Sequence, residues 1–311
     1  MTKEDLNACH KKIRPYIHNT PILTSSLINK LIGAELYFKC ENFQKAGAYK
    51  IRGATNAILK LSKTQQQNGV VTHSSGNFAQ ALSLAAKNLN IKAYIVMPSN
   101  SPQVKKNAVL KYGGEVIECE PTIEARQHTA NKISSTTGAT FIHPSNNLDV
   151  ILGQGTAGLE LLNEHLNLDY IVCPIGGGGL IAGTALAATH FSNHCNVIGG
   201  EPEEADDAYR SIISGKIETN LTTNTIADGL RTQLGSHNFP IIKEHVKQII
   251  RVSEAEIIEA MQLIWERMKI IIEPSNAVAF AAVLKEKETF KNKKIGVIIS
   301  GGNVDVNNLP F

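Results

Sequence analysis

The sequence predicts an α/β protein built from two parallel-sheet domains with helices on both faces. From residue 70 to residue 143, short apolar runs typical of buried strands alternate with helical patterns. A second alternation of the same kind runs from residue 169 to residue 300. Such alternation is typical of parallel sheets covered by helices. We therefore expect a small mobile α/β domain at residues 62–145, inserted into a large domain formed by residues 1–61 and 146–311.

The length and composition of the chain are those of an ordinary globular protein. With 311 residues, of which 42% are hydrophobic and 19% charged, it can bury a large core. The net charge of +3 is spread along the chain, so we expect no nucleic-acid partner. No apolar run approaches a membrane span and the N-terminus has no apolar signal core, which predicts a cytoplasmic protein without a membrane partner. The five widely separated cysteines predict neither disulfides nor zinc.

Four consecutive glycines, Gly176–Gly179, follow an apolar strand pattern and precede a helical pattern of small residues. Glycine permits unusual backbone angles, so several N–H groups can converge on one anion at the positive end of the following helix. The run therefore predicts a phosphate-binding loop. A tight turn without a ligand is the alternative, although four ordered glycines without a function would cost considerable entropy.

Four short motifs occur in order along the chain: NFQKAGAYKIRGA at residues 42–54, SSGN at 74–77, GGGG at 176–179 and SGGN at 300–303. Together they resemble the motifs of pyridoxal-phosphate enzymes with the tryptophan-synthase-β-like fold. Within that group, the chain is similar to the serine racemases and the serine/threonine dehydratases. The resemblance extends from about residue 11 to residue 305. Any one motif would be a weak signal, but four in the right order and spacing are a strong one.

The resemblance implies pyridoxal 5'-phosphate as the cofactor. Lys50 would bind its aldehyde covalently, Asn77 would hydrogen-bond its ring hydroxyl, and Ser300 would face its pyridine nitrogen. Its phosphate would be held by Gly176, Gly177, Gly178 and Gly179. Each assignment also fits its chemistry, because a phosphate needs N–H donors and an aldehyde needs an amine. Without the other motifs, Lys50 alone would be read as a solvated first-turn residue.

A serine beside the pyridine nitrogen bears on the reaction. A carboxylate there would keep the nitrogen protonated and make the ring a strong electron sink, whereas a serine hydroxyl can leave it neutral. A weaker sink favours expulsion of a β-hydroxyl during or soon after removal of the Cα proton. Ser300 therefore favours elimination. A serine that hydrogen-bonds its own strand-end turn is the alternative.

The resemblance also implies a small amino-acid substrate. Its carboxylate would rest on Ser74, Ser75, Gly76 and Asn77, a loop that opens a helix and so offers a second anion site. Lys50, once freed from the cofactor, would remove the Cα proton. Ser75 matches the residue on the opposite cofactor face in serine racemases, where it can exchange a proton with Cα. A helix cap or a carboxylate-binding hydroxyl is an equal alternative for Ser75.

Three weaker candidates complete the substrate pocket. Arg126 and His143 match positions that line this pocket in serine racemases, and Arg231 lies in a segment that departs from them. Arg126 could bind a distal carboxylate, such as that of 3-hydroxyaspartate, and Arg231 would also favour an anionic substrate. An arginine within a helical pattern is otherwise most often a solvated residue.

A dense acidic stretch, EPEEADD at residues 201–207, follows a strand pattern. The resemblance implies that Glu201, the carbonyl of Ala205 and Asp207 bind Mg²⁺ or Ca²⁺, cations that prefer oxygen ligands. Without the resemblance, the stretch would indicate an acidic helix start stabilised by the helix dipole.

These expectations combine into a dehydratase (ammonia-lyase) that converts L-serine or L-threonine to a 2-keto acid and ammonia. A serine racemase with side dehydratase activity, or a threo-3-hydroxyaspartate ammonia-lyase, is the alternative. The resemblance also implies a homodimer. Outside the family, a dinucleotide-dependent oxidoreductase would need a GxGxxG motif with an acidic residue about 20 positions later, which is lacking. A non-catalytic phosphate sensor would give no reason for Lys50.

Overall fold

The computed structural model describes all 311 residues. Ten strands, numbered in chain order, form two sheets: β1 Ile22–Leu23, β2 Glu35–Cys40, β3 Val70–His73, β4 Ala93–Pro98, β5 Glu115–Cys119, β6 Thr140–Phe141, β7 Tyr170–Pro174, β8 Asn196–Pro202, β9 Val246–Val252 and β10 Lys294–Ile299. Fourteen helices connect and cover them: α1 Lys3–Ile13, α2 Ser26–Ile32, α3 Lys50–Lys60, α4 Lys63–Asn68, α5 Asn77–Asn88, α6 Gln103–Lys111, α7 Ile123–Thr137, α8 Leu148–Glu164, α9 Gly179–Phe191, α10 Asp207–Ser214, α11 Phe239–His245, α12 Glu254–Met268, α13 Pro274–Lys285 and α14 Lys287–Phe290. The predicted α/β class is confirmed.

The larger sheet has the strand order β1-β2-β10-β7-β8-β9. Its neighbouring strands are parallel, except that the two-residue strand β1 pairs antiparallel with β2. The prediction of a wholly parallel sheet therefore misses this short edge strand. Because parallel strands end at the same edge, the segments that follow β10, β7 and β8 lie side by side. These segments contain Ser300, the glycine run and most of the acidic stretch.

The smaller sheet has the order β5-β4-β3-β6 and is parallel throughout. All four strands fall within residues 62–145, the range predicted for the small domain. Strand β3 ends at His73, and Ser74–Gly76 then lead directly into α5. The second anion site predicted from the sequence thus lies at the carboxyl edge of this sheet.

Two central helices of the larger sheet pack unusually closely. A Cβ atom at Gly155 of α8 would lie 2.5 Å from the carbonyl oxygen of Gly183 in α9, and one at Gly183 would lie 2.3 Å from the carbonyl oxygen of Ile151. Both distances are too short for any side chain, so the glycines allow the two backbones to meet. This contact fixes the position of α9 and therefore of the glycine run at its N-terminus. No helix in the protein combines the length and apolar content that a membrane span requires.

Candidate active site

A chain of contacts brings the predicted cofactor residues together in one region of the protein. The Lys50 amine donates to the carbonyl of Pro144 at 3.2 Å. The next residue, Ser145, lies against the glycine run, since a Cβ at Gly177 would be 2.4 Å from its Oγ. On the other side, the N–H of Tyr49 donates to the carbonyl of Ser300 at 3.0 Å. Lys50, the glycine run and Ser300 are therefore neighbours in space.

Lys50 is the first residue of α3, and its amine contacts the carbonyl of Pro144, which follows β6. Its Nζ is 4.9 Å from the centre of the Tyr49 ring. Burial lowers the pKa of Lys50 to about 8, with the charge of Glu273 opposing this change. A sizeable fraction of the amine is thus neutral near physiological pH. A neutral amine is the form that acts as a nucleophile or a base.

Asn77, the first residue of α5, is held by the side chains of Glu273 and Asn303, which belong to the part of the chain that forms the larger sheet. Its Nδ2 donates to Glu273 Oε1 at 2.8 Å, and its Oδ1 accepts from Asn303 Nδ2 at 2.9 Å. An amide nitrogen carries two hydrogens, so one N–H of Asn77 remains available for a ligand. Burial, followed by the charge of Asp228, raises the pKa of Glu273 to about 8.

Ser300 follows β10 and is almost completely buried. Its hydroxyl donates to the side-chain oxygen of Asn276. Asn276 belongs to the first turn of α13, and Glu273 is the residue that precedes this helix. One helix start therefore contacts both Asn77 and Ser300, the residues predicted to contact the ring hydroxyl and the pyridine nitrogen of the cofactor.

The glycine run forms the loop between β7 and α9. None of the N–H groups of Gly176–Gly179 donates a hydrogen bond within the protein. Gly178 has φ +76°, in the left-handed region that favours glycine. A Cβ at Gly176 would lie 2.7 Å from the Cα of Leu230, so the backbone leaves no room for a side chain there. Four free N–H groups at a helix N-terminus are suited to a phosphate.

The loop before α5 carries two serine hydroxyls of different kinds. The Oγ of Ser74 accepts a weak hydrogen bond from the N–H of Gly76 at 3.4 Å. The Ser75 hydroxyl makes no hydrogen bond within the protein. The N-cap of α5 is Gly76, which has no side chain to cap the helix. The helix-cap alternative for Ser75 is therefore wrong.

Two further predicted pocket residues, His143 and Arg126, lie at the carboxyl edge of the smaller sheet. His143 Nδ1 accepts from the N–H groups of Ser145 and Asn146 at 3.2 and 2.8 Å. Burial lowers the pKa of His143 to about 4, so its ring is neutral and keeps its proton on Nε2. The Nε atom of Arg126 is buried without a hydrogen-bond partner. Arg126 is thus a cation with unused donor capacity.

Arg231 has a structural contact of its own. Its Nε and Nη2 donate to the carbonyl of Thr225 at 3.1 and 2.6 Å. This pair of hydrogen bonds closes the irregular loop between α10 and α11. The guanidinium of Arg231 therefore already binds the backbone of this loop. Arg126 differs, because its Nε has no hydrogen-bond partner.

The acidic stretch brings two of the predicted metal ligands together at the end of β8. The two carboxylate oxygens of Glu201 accept from the N–H groups of Ala208 and Tyr209 at 2.9 and 2.8 Å. Asp207 Oδ2 accepts from the N–H of Leu234 at 2.8 Å, while its Oδ1 is buried without a partner. Burial and the neighbouring Asp207 raise the pKa of Glu201 well above its usual value. No group of three or more His, Cys, Asp or Glu side chains surrounds a possible ion position anywhere in the chain.

A buried ion network lies directly behind Lys50. Arg52 contacts Glu41 Oε2 through Nε at 2.7 Å and Glu160 Oε2 through Nη2 at 2.6 Å. Lys39 contacts the same oxygen of Glu160 at 2.8 Å, and His10 contacts its other oxygen at 2.9 Å. Although burial opposes ionisation, the hydrogen bonds from His10 and Arg52 hold the pKa of Glu160 well below its usual value. The network anchors the first turn of α3, which carries Lys50.

Sequence reasoning missed Glu273 and Asn276 as site residues. In the sequence, Glu273 is an acidic residue followed by a proline, a pattern that predicts a helix start and nothing more. Its contact with Asn77 joins residues 196 positions apart. Asn276 lies 24 positions before Ser300. No local pattern signals either contact.

The chain resembles known proteins over its whole length. Residues 13–301 match the protein family described as "Pyridoxal-phosphate dependent enzyme". The serine racemase of Dictyostelium discoideum is 51% identical over 313 residues, which cover 99% of this chain and 97% of that protein. Its crystal structure aligns with a TM-score of 0.94 over 98% of this chain and 99% of that chain.

Relatives with other names are also similar over nearly the whole chain. The beta-hydroxyaspartate dehydratase of Paracoccus denitrificans is 48% identical over 310 residues, covering 100% of this chain and 98% of that protein. The processed form of threonine deaminase isoform 2 from Solanum lycopersicum is 31% identical, with a TM-score of 0.92 over 99% of this chain and 92% of that chain.

Proposed function

Because the chain belongs to the family of pyridoxal-phosphate dependent enzymes, we propose that it is a dehydratase that converts L-serine or L-threonine to a 2-keto acid and ammonia. The observation that carries this proposal is the Lys50 amine, whose pKa burial lowers to about 8, beside the glycine run and Ser300. A lysine so placed combines a nucleophile with a base in one cleft. Proteins similar to this chain include ones named for serine, threonine and hydroxyaspartate.

The residues present fit pyridoxal phosphate. The four unpaired N–H groups of Gly176–Gly179 suit its phosphate, and the free N–H hydrogen of Asn77 suits its ring hydroxyl. Lys50 would hold its aldehyde carbon, and Ser300 would face its pyridine nitrogen. When bound, the cofactor supplies an electron sink for the bonding electrons of a substrate amino acid.

The protein's own groups would carry the substrate steps. Ser74, Ser75, Gly76 and Asn77 would bind the substrate carboxylate at the N-terminus of α5, where backbone N–H groups point outward. The Lys50 amine would then remove the Cα proton, for which a pKa near neutrality is favourable. The ring of His143 is neutral, so it can donate a hydrogen bond to the substrate through Nε2. It would not form an ion pair with the substrate carboxylate.

A second candidate substrate is 3-hydroxyaspartate. The supporting observation is Arg126, whose buried Nε has no partner and whose guanidinium could pair with a distal carboxylate. We expect Arg126→Met to raise the KM for 3-hydroxyaspartate about tenfold or more, since a hydrogen bond to a charged group contributes about 1.5–3 kcal/mol. The KM for serine should change far less, because serine has no distal carboxylate.

Racemisation of serine is the remaining alternative, and Ser75 supports it. Racemisation needs proton donors on both faces of Cα, and the Ser75 hydroxyl has no partner within the protein that would restrain it. We expect Ser75→Ala to reduce formation of D-serine from L-serine more strongly than formation of pyruvate. Equal losses in both products would assign Ser75 to substrate binding instead.

We further propose that Glu201, the carbonyl of Ala205 and Asp207 bind Mg²⁺ or Ca²⁺. Two buried carboxylates lie close enough for one to raise the pKa of the other, and Asp207 Oδ1 has no partner. A carbonyl as third ligand is consistent with the lack of a third acidic side chain. The cation would join β8 to the start of α10, away from Lys50, and would support the fold.

We make three further proposals about motion, assembly and location. We propose that residues 62–145 close over the substrate as a unit, a motion that the Lys105–Asp228 ion pair (2.6 Å) between α6 and the loop before Arg231 would stabilise. We also propose a homodimer and a cytoplasmic location. Light scattering after size-exclusion chromatography tests the dimer.

The proposed function is tested by incubating the purified protein, loaded with pyridoxal phosphate, with L-serine, L-threonine and threo-3-hydroxyaspartate in turn. Keto acid, ammonia and the enantiomers of the remaining amino acid are measured together. We expect equal amounts of keto acid and ammonia from serine or threonine, and none from a Lys50→Ala variant. A cofactor-loaded protein that releases neither product from any of the three would contradict the proposal.

A further inference from the structure

Asn238 is a completely buried side chain beside the glycine run, and the proposed function does not use it. It lies immediately before α11, in a short segment, residues 234–238, that we call the covering loop. A Cβ at Gly178 would lie 2.6 Å from Leu234 Cδ2 and 3.0 Å from Asn238 Oδ1. The covering loop therefore packs directly against the glycine run.

The amide of Asn238 makes three hydrogen bonds, all of them to backbone groups. Its Nδ2 donates to the carbonyl of Gly177 at 2.8 Å and to the carbonyl of Ser145 at 3.2 Å. Its Oδ1 accepts from the N–H of Gly235 at 3.0 Å. Because a carbonyl can only accept and a backbone N–H can only donate, these partners fix which end of the amide is the nitrogen. The amide is thus fully used within the protein.

The hydrogen bond to Gly177 sets the direction of the next N–H group. The peptide bond is planar and trans, so the carbonyl of Gly177 and the N–H of Gly178 point in opposite directions. With this carbonyl turned towards Asn238, the N–H of Gly178 points away from the covering loop and has no partner within the protein. A peptide between two glycines meets little steric resistance to rotation, so its orientation depends on such a tether.

We propose that Asn238 is a positioning residue for the cofactor phosphate: it holds the carbonyl of Gly177 and thereby turns the N–H of Gly178 towards the phosphate. The inference rests on the proposed function only in requiring that pyridoxal phosphate binds with its phosphate at the glycine run. Without the amide, the peptide could turn over and present its carbonyl oxygen, which repels an anion. Asn238 itself would not touch the cofactor.

Asn238 also joins the glycine run to the segment that contacts Lys50. Ser145, whose carbonyl it binds, follows Pro144, whose carbonyl accepts from the Lys50 amine at 3.2 Å. A Cβ at Gly179 would lie 3.0 Å from the carbonyl oxygen of Ser145, so this segment lies against the glycine run. One amide therefore helps to fix the distance between the groups proposed for the two ends of the cofactor, its phosphate and its aldehyde.

The test compares the binding of pyridoxal phosphate with that of pyridoxal, which has the same ring and aldehyde but a hydroxyl in place of the phosphate ester. Asn238→Leu keeps the branched shape of the side chain, adds no charge and removes the donor to Gly177. Absorbance titration of the cofactor-free protein gives both dissociation constants. We expect the constant for pyridoxal phosphate to rise about tenfold or more, as for a lost hydrogen bond to a charged group, and the constant for pyridoxal to change little.

The matched control is Asn146→Ala, because Asn146 Oδ1 accepts from the N–H of His237 at 2.7 Å and so holds the covering loop at a different point. This variant should leave both dissociation constants nearly unchanged. A merely structural role of Asn238 would weaken the binding of pyridoxal and pyridoxal phosphate alike. That result in Asn238→Leu, or unchanged binding of both compounds, would overturn the inference.

Should Asn238→Leu fail to fold, as judged by circular dichroism, a crystal structure of the wild-type protein with pyridoxal phosphate still decides. We expect the N–H of Gly178 to donate to a phosphate oxygen, and a phosphate bound without this contact would overturn the inference. Failure of the proposed function is a different result. A protein that binds the cofactor but releases no keto acid would refute the dehydratase, while the two dissociation constants would still test Asn238.

Discussion

Two clusters of buried carboxylates in this protein are built in opposite ways. Behind Lys50, Glu41 and Glu160 pair with two buried cations, Arg52 and Lys39, and the pKa of Glu160 is lowered despite its burial. At the end of β8, two carboxylates have only backbone N–H groups as partners. There, burial raises the pKa of Asp207 to about 6.

The difference concerns how each cluster balances its charge. Arg210 and Arg251, the arginines near the second cluster, pair with Asp206 instead of Glu201 or Asp207. The first cluster is therefore complete within the chain, whereas the second lacks a positive partner. The contrast shows two ways of burying carboxylates: the first cluster pairs them with buried cations, and the second gives them backbone N–H donors while burial raises their pKa.

The largest expected effect comes from breaking the balanced cluster. Arg52→Met would leave the buried carboxylate of Glu41 without an ion pair and that of Glu160 with Lys39 as its remaining buried cation. We expect a loss of about 3–5 kcal/mol in the free energy of unfolding, the usual cost of removing one partner of a buried pair. Urea denaturation measures it.

A matched control is Arg210→Met, which removes a partly exposed arginine from its pair with Asp206. Here we expect a loss of about 1 kcal/mol or less, as is usual near the surface. If both variants lost a similar free energy of unfolding, the buried network around Arg52 would contribute no more to stability than a surface ion pair.

The unbalanced cluster should respond to added cations. At a Ca²⁺ or Mg²⁺ concentration 100 times the dissociation constant, we expect the free energy of unfolding to rise by about 2.7 kcal/mol through binding to the folded state. Asp207→Asn should abolish this rise. An equal rise in this variant would locate the ion elsewhere, and no rise in the wild type would contradict the proposed site.

Glu273 forms a third, intermediate case, since it is buried without an ion pair but its side chain accepts a hydrogen bond from Asn77. Its pKa in the folded protein, about 8, lies above the value in an unfolded chain. A carboxyl of this kind contributes stability that is present below its unfolded pKa and is lost as the pH rises through its folded pKa.

Glu273→Gln keeps an acceptor for Asn77 and removes the titration. We expect it to change the free energy of unfolding by about 1 kcal/mol or less near pH 5. Between pH 5 and pH 8 the wild type should lose stability relative to the variant, measured by urea denaturation at several pH values. A constant difference across this range would mean that Glu273 is ionised throughout.

Motifs located most of the candidate site because each one ends a parallel strand or begins a helix. The glycine run after β7 and Ser300 after β10 are adjacent for that reason, and Asn77 follows β3 in the smaller sheet. The residues that orient them were not predictable. Glu273 reaches Asn77 across 196 positions, a contact that depends on how the two sheets face each other.

The same limit applies to the fold. Long alternating segments predicted the strands of both sheets, but β1 has only two residues and no pattern of its own. Helix α4, with the sequence KTQQQN, has no apolar residue to give a helical period. Helix α11 spans seven residues and carries a proline in its first turn, so it too lacks a readable period.

The central claim is that Lys50 binds pyridoxal phosphate covalently, and borohydride reduction followed by peptide mapping tests it most directly. The purified protein, loaded with the cofactor, is reduced, digested and analysed by mass spectrometry. We expect the cofactor to be found on the peptide that contains Lys50, and no labelled peptide from Lys50→Ala. Cofactor attached to another lysine of the wild type, or no attachment at all, would contradict the account.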